Sequence, residues 1–165
     1  MKRIVLLLTL LLPLMMTAQT KRMTTFEVRA GQGIELYSKP YYAYSELPRT
    51  TIMAQANIGC FLIGAGYDYI TVNGAANESA VHLRTGVVFD FGKFSADTFI
   101  TGEKIFQKES DMPILFGYGV SAAYKIVGPL CVYGEVRAQC PLFQERYVFY
   151  KTISTCLSIG LKIKF

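Results

Sequence analysis

The sequence predicts an all-β protein, an eight-stranded antiparallel up-and-down transmembrane β-barrel with a polar, filled interior. Three observations predict it. Eight segments alternate apolar and polar residues with a period of two, the mark of strands with unlike faces. The joins between them alternate short and long, the rhythm of a membrane barrel with tight turns at one end and longer loops at the other. Finally, the chain is 52% hydrophobic with a mean hydropathy of +0.30, yet only Ile4 to Met16 is a continuous apolar run. Nothing after Met16 offers the roughly 18 apolar residues that a membrane helix requires. Disorder is excluded as well, because its signature is low hydrophobicity with high net charge.

Met1-Lys2-Arg3 is basic, Ile4 to Met16 is apolar, and Thr17-Ala18 is small. This is the order of a secretory signal peptide, with cleavage expected after Ala18. Residues 1–18 are read as that peptide and 19–165 as one barrel domain. No Cys follows the apolar run, which argues against a lipoprotein anchor. Losing Lys2 and Arg3 from the 17 basic residues leaves 15 against 12 acidic. That balance is mild and the basic residues are scattered, so no nucleic-acid partner is expected. Cys60, Cys131, Cys140 and Cys156 show no close-spaced pair and no metal-ligand pattern. They read as unpaired small thiols, and neither a metal nor a cofactor is expected.

The strands follow in order. Phe26, Val28, Ala30, Ile34 and Leu36 oppose Glu27, Arg29, Gly31 and Glu35. Ile52, Ala54, Ala56 and Ile58 form a weaker second face. Phe61, Ile63, Ala65, Tyr67 and Tyr69 oppose Gly64, Gly66 and Asp68. Val81, Leu83, Thr85, Val87, Phe89 and Phe91 alternate with His82, Arg84 and Asp90. Phe94, Ala96, Thr98 and Ile100 oppose Ser95, Asp97 and Glu103. Ile114 through Ile126 runs apolar at even positions, against Gly117, Gly119, Ser121 and Lys125. Leu130, Val132, Val136 and Ala138 oppose Glu135 and Arg137. The last segment is the clearest, with Ile153, Thr155, Leu157, Ile159, Leu161, Ile163 and Phe165 opposing Lys162 and Lys164. Every charged residue of these segments falls on the less apolar face.

Tight turns are expected at Asn57-Ile58-Gly59, Gly92-Lys93 and Val127-Gly128-Pro129, where Gly and Pro accumulate. Longer joins are expected at 38–49, 73–79, 106–112 and 141–150.

Alternation alone leaves a soluble exported lipid-binding barrel open as an alternative, with the apolar face turned inward. Three features favour a membrane barrel. The chain runs to an apolar aromatic, Phe165, in its best amphipathic strand. Phe26, Phe61, Phe89, Phe91, Phe94, Tyr124 and Phe165 gather toward the tight-turn end, as a girdle at one interface would. The polar face carries both signs, so Glu27, Arg29, Glu35, Asp68, Arg84, Asp90, Asp97, Glu135 and Arg137 can neutralise one another inside the lumen. Eight strands enclose a space just wide enough for side chains to fill, which makes a wide pore improbable.

The eight amphipathic strands and the closing Ser158-Ile159-Gly160-Leu161-Lys162-Ile163-Lys164-Phe165 resemble the small outer-membrane barrels of Gram-negative bacteria, the OmpA/OmpX kind. That resemblance is architectural and covers residues 19–165. It implies the bacterial outer membrane as location, outer-membrane lipid as surroundings, and the barrel-assembly machinery as a partner. Leu161, Ile163 and Phe165 would be the signal that machinery reads. Arg22-Met23 before strand one, Phe116-Gly117-Tyr118-Gly119 and the Gly-Leu-Lys-Ile-Lys-Phe ending are similar to the TraO proteins of conjugative transposons. This second resemblance implies, as an alternative, an outer-membrane component of a conjugative transfer apparatus.

Some barrels of the resembled kind are hydrolases or acyltransferases acting on lipid A or phospholipids, using Ser, His and an acid at the outer rim. Here His82 is the sole histidine, and Ser79, three residues earlier, falls on the opposite face. No catalysis is therefore expected, and the role is read as structural or surface-interacting. The candidate contact surface is Tyr41, Tyr42 and Tyr44 in the first long loop with Phe143, Tyr147 and Tyr150 in the last. Exposed aromatics suit an extracellular or periplasmic protein partner, although the same rings also suit an outer interfacial girdle.

Overall fold

A strand with one apolar and one polar face has nowhere to put both in a flat sheet, and an open sheet in lipid leaves its edges unpaired. Closing the sheet solves both problems, and the chain does this. In the computed structural model, which describes residues 24–39, 42–71, 78–106, 114–141 and 154–165, eight strands form one closed antiparallel barrel. They are β1 (Thr24–Lys39), β2 (Tyr42–Ile58), β3 (Phe61–Ile70), β4 (Glu78–Phe91), β5 (Phe94–Phe106), β6 (Ile114–Val127), β7 (Leu130–Pro141) and β8 (Ser154–Lys164). Each strand pairs with the next, and β8 returns to β1 through Glu27↔Lys164 to Tyr37↔Ser154. Just beyond Glu27↔Lys164, Phe26 and Phe165 exchange two backbone hydrogen bonds, of 3.3 and 2.8 Å.

The faces follow the alternation. Outward residues are large and apolar: Phe26, Ile52, Phe61, Leu83, Tyr118 and Ile159 are all more than half exposed in the isolated chain. Leu161, Ile163 and Phe165 face outward on β8 and at its end. Phe26, Phe61, Phe91, Phe94, Tyr124 and Phe165 ring the tight-turn end, where the Phe91 and Phe94 rings stack with centroids 6.2 Å apart. Many inward residues are charged or amide-bearing, and glycines make room beside some of the bulky ones. Phe99, for example, lies in one cross-strand row between Gly86 and Gly119. A Cβ on Gly119 would stand 2.5 Å from the Phe99 ring, so the small residue makes the room.

The tight turns are Gly59-Cys60, Gly92-Lys93 and Gly128-Pro129. Each opens on a glycine in the left-handed region, at φ of 63°, 82° and 54°, where a side chain would be strained. The first turn therefore lies one step beyond the Asn57-Ile58-Gly59 expectation. Asn57 is instead a lumen residue, buried and donating from Nδ2 to Glu27 Oε1 at 3.0 Å.

The first long join also differs from expectation. Instead of a loop over 38–49, β1 continues to Lys39 and β2 begins at Tyr42. Tyr42 and Tyr44 thus sit on a strand, whereas Tyr41, Phe143, Tyr147 and Tyr150 lie outside the described residues. Pro48 cannot donate to a ladder, yet it lies within β2. It is tolerated because the last β2–β3 pair is Arg49↔Ile70, so its nitrogen lies beyond the regular ladder. Its carbonyl accepts the Thr71 N–H at 2.9 Å.

The interior is not uniformly polar. Ile70, Ala80, Ile105 and Leu115, with Leu47 against them, form an apolar cluster at the loop end of the lumen. Leu62, Val88 and Phe99 form a second, and Ala123, Cys131 and Tyr133 a third, both toward the tight turns. Between these ends lies the ionic interior.

Candidate functional site

The charged residues inside fall into two connected groups. In the half nearer the loops, Arg49 reaches three carboxylates: Glu35 at 2.7 Å, Asp68 at 2.5 Å and Glu103 at 2.6 Å. Arg137 stands 3.5 Å from Glu103 and 3.8 Å from Asp68. Asp68 also accepts from Thr51 and meets His82 Nδ1 at 2.7 Å, while Gln139 donates to Glu103 at 2.9 Å. In the half nearer the tight turns, Arg29 pairs with Glu27 at 2.9 Å and Asp97 at 2.5 Å, and donates to Ser121 at 3.0 Å. Arg84 pairs with Glu135 at 2.8 Å and donates to Gln55. Lys162 completes this group beside Glu27 at 3.3 Å.

Three cations balance three carboxylates in that lower group. Isolated charges in so dry a space would be very costly, and the attraction of well-placed partners offsets that cost. Ring faces contribute as well, with the Arg84 guanidinium 4.6 Å from the Phe99 centroid and that of Arg29 5.5 Å from Tyr133. Several of the pairs join strands that are not neighbours in the sheet. Arg29 on β1 contacts β5 and β6, Arg49 on β2 contacts β5, and Arg84 on β4 contacts β7.

Glu27, Arg29, Asp68, Arg84, Glu135 and Arg137 therefore all line the lumen and take part in its ion pairs. Asp90 does not join them. It lies at the tight-turn rim, where β4 runs out, with a side chain 42% exposed and paired with Lys164. Several lumen residues escaped the sequence reading as pairing partners: Arg49, Gln55, Asn57, Gln139 and Lys162. Arg49 was assigned to a loop because of Pro48, yet the phase of Met53, Gln55 and Asn57 runs straight back to it through Thr51.

Asp68, His82 and Glu103 bring three potential ligand atoms within 4.8 Å of one another. The set is nevertheless occupied, since the Arg49 guanidinium lies between its two carboxylates with Arg137 beside it. A metal ion there would have to displace one cation and face another. His82 is buried and points inward, whereas Ser79 lies on the outward face of β4. The two do not form a nucleophile–base pair.

The structure is similar to solved small barrels. A de novo designed transmembrane β-barrel matches with a TM-score of 0.59 and 15% identity, over 86% of this chain and 95% of that one. Neisserial surface protein A matches at 0.58 and 16%, over 85% and 97%. Ail, the attachment invasion locus protein of Yersinia pestis, crystallised with the heparin analogue sucrose octasulfate, matches at 0.60 and 9%, over 86% and 99%. The fold is that of a transmembrane β-barrel. At such identities the likeness speaks for the fold alone. No family model and no curated protein matches the chain, and the similarity to TraO proteins finds no support in these comparisons.

Proposed function

We propose that this chain is a bacterial outer-membrane barrel with a structural or surface-interacting role and no catalytic step. The observation that carries this reading is the lumen itself. Arginines held at 2.5 to 2.8 Å by carboxylates from across the barrel support a solid strut with no wide aqueous path. The apolar outer wall supports residence in lipid, with an aromatic ring at one end. What remains available for recognition is the pair of ends. The long loops are the candidate face for a protein partner, and the barrel serves to hold them.

Fractionation together with planar-bilayer recording tests the reading. The protein is expected in outer-membrane fractions with heat-modifiable gel mobility, and the purified barrel should give no steady conductance steps. A periplasmic soluble protein, or a reproducible open channel, would overturn it. The enzymatic alternative meets a separate test. A His82→Ala variant is expected to leave lipid A and phospholipid profiles unchanged by mass spectrometry. A lost acyl transfer or hydrolysis product would assign chemistry to the barrel after all.

A further inference from the structure

The two ends of the lumen differ. At the loop end, among the described residues, an apolar cluster of Ile70, Ala80, Ile105 and Leu115 lines it. At the tight-turn end it opens into a cavity of about 420 Å³, a volume in the range of small-molecule sites. The lining carries four side-chain ammonium groups, from Lys93, Lys125, Lys162 and Lys164, and one side-chain carboxylate, Asp90.

Register explains why the lysines converge. Lys125 on β6 pairs with Cys131 on β7, and Cys131 pairs with Lys162 on β8. The three form one inward row, with two cations flanking a small thiol. Strand spacing puts the backbones of β6 and β8 roughly 9–10 Å apart. Lys93 is brought to the same wall because its carbonyl accepts the Lys125 N–H at 2.7 Å. Asp90 is engaged by Lys164, and Glu27, just below, by Lys162. Lys93 and Lys125 thus line the cavity with no carboxylate paired to them among the described residues. Lys162, its side chain only 1% exposed, forms a cationic floor.

We propose that this mouth binds a phosphate-bearing anion. Lysines recruit phosphate as point charges. A phosphate monoester carries about −1.5 to −2 charges, which suits two unpaired ammonium groups better than a single carboxylate would. The Thr25 and Ser95 hydroxyls on the same wall are donors for the remaining oxygens. The chain's own preceding residues include Lys21 and Arg22, so that segment has the wrong sign to be the occupant. The phosphate can come from a soluble compound or from a phospholipid headgroup in the leaflet at that end. The site does not depend on the role proposed above, because it is tested on the isolated barrel.

The experiment is calorimetric titration of the full barrel, in phosphatidylcholine nanodiscs at low salt, with inorganic pyrophosphate. Saturable binding is expected, weakened about tenfold in a Lys93→Gln/Lys125→Gln double variant and restored by Lys93→Arg/Lys125→Arg. Both residues are exposed, so folding should survive, and heat-modifiable mobility verifies it. Native mass spectrometry from micelles doped with phosphatidic acid, a lipid monoester, separates the sources. A retained lipid that the double variant loses identifies a headgroup, whereas pyrophosphate binding without retained lipid identifies a soluble ligand. Absence of saturable binding, undiminished binding by the double variant, or equal binding of acetate at matched ionic strength would overturn the proposal.

Discussion

Replacing Arg49 with Leu is expected to destabilise the folded barrel by about 3–5 kcal/mol, the cost of stranding buried charge. Few residues in this structure are so heavily committed. Its guanidinium lies within 2.7 Å of Glu35, Asp68 and Glu103, and all four side chains are fully shielded from solvent. Leucine would occupy much of the space but leave three carboxylates facing one another, with one guanidinium, that of Arg137 at 3.5 and 3.8 Å from two of them, to balance the three. Glu35→Gln offers the contrast. It removes one of three negative charges but keeps an acceptor oxygen for Arg49, and should cost only about 1–3 kcal/mol. Urea-unfolding midpoints in lipid vesicles, read by gel mobility, would compare the two. If Arg49→Leu proved as mild as Glu35→Gln, the interior would be hydrated enough to solvate the orphaned carboxylates.

Val120→Arg is the second large effect, expected at about 2–4 kcal/mol if the wall faces lipid near the midplane. Val120 is outward, 43% exposed in the isolated chain, and paired with Thr98 on one side and Val136 on the other. Its chain neighbour Ser121 faces the lumen, where its hydroxyl accepts from Arg29 at 3.0 Å. That hydroxyl also donates to Asp97 at 3.1 Å, so Ser121→Ala removes two bonds to charged groups and should cost about 1.5–3 kcal/mol. The pair separates the faces of a single strand, because lipid punishes charge on one side and the lumen punishes lost polarity on the other. Unimpaired stability of Val120→Arg would mean that no membrane lies against β6.

Period-two patterning made the faces legible because it depends on nothing but the pleat. Phe26 against Glu27, or Tyr118 against Ser121, declares its side without reference to any other strand. Partner choice was not legible, because alternation says which face a side chain takes and not how high in the barrel it sits. That Arg84 would meet Glu135, 51 residues away, follows from strand tilt and register. Apolar residues on the inner face, such as Leu62, Val88 and Phe99, read in sequence as noise in a polar stripe. In the structure they pack together as one cluster. Arg49 was hidden by Pro48, since a proline reads as a break until one sees that the β3 ladder stops beside it. The lysine-lined mouth combines residues from a turn and two strands that the pattern treats separately, so its convergence appears only once the sheet closes.

The ion pairs that cross the lumen have a consequence for how the molecule is made. Arg29 on β1 meets Asp97 on β5, 68 residues later, and Ser121 on β6, 92 residues later. Lys162 on β8 meets Glu27 on β1, 135 residues earlier. Glu27 gives Arg29 a partner within its own strand, but Glu135 and Lys162 find theirs only 51 and 135 residues away. A half-formed sheet would present these charges unmatched to whatever lies on its inner side. The buried charges thus favour the closed circle over any open sheet.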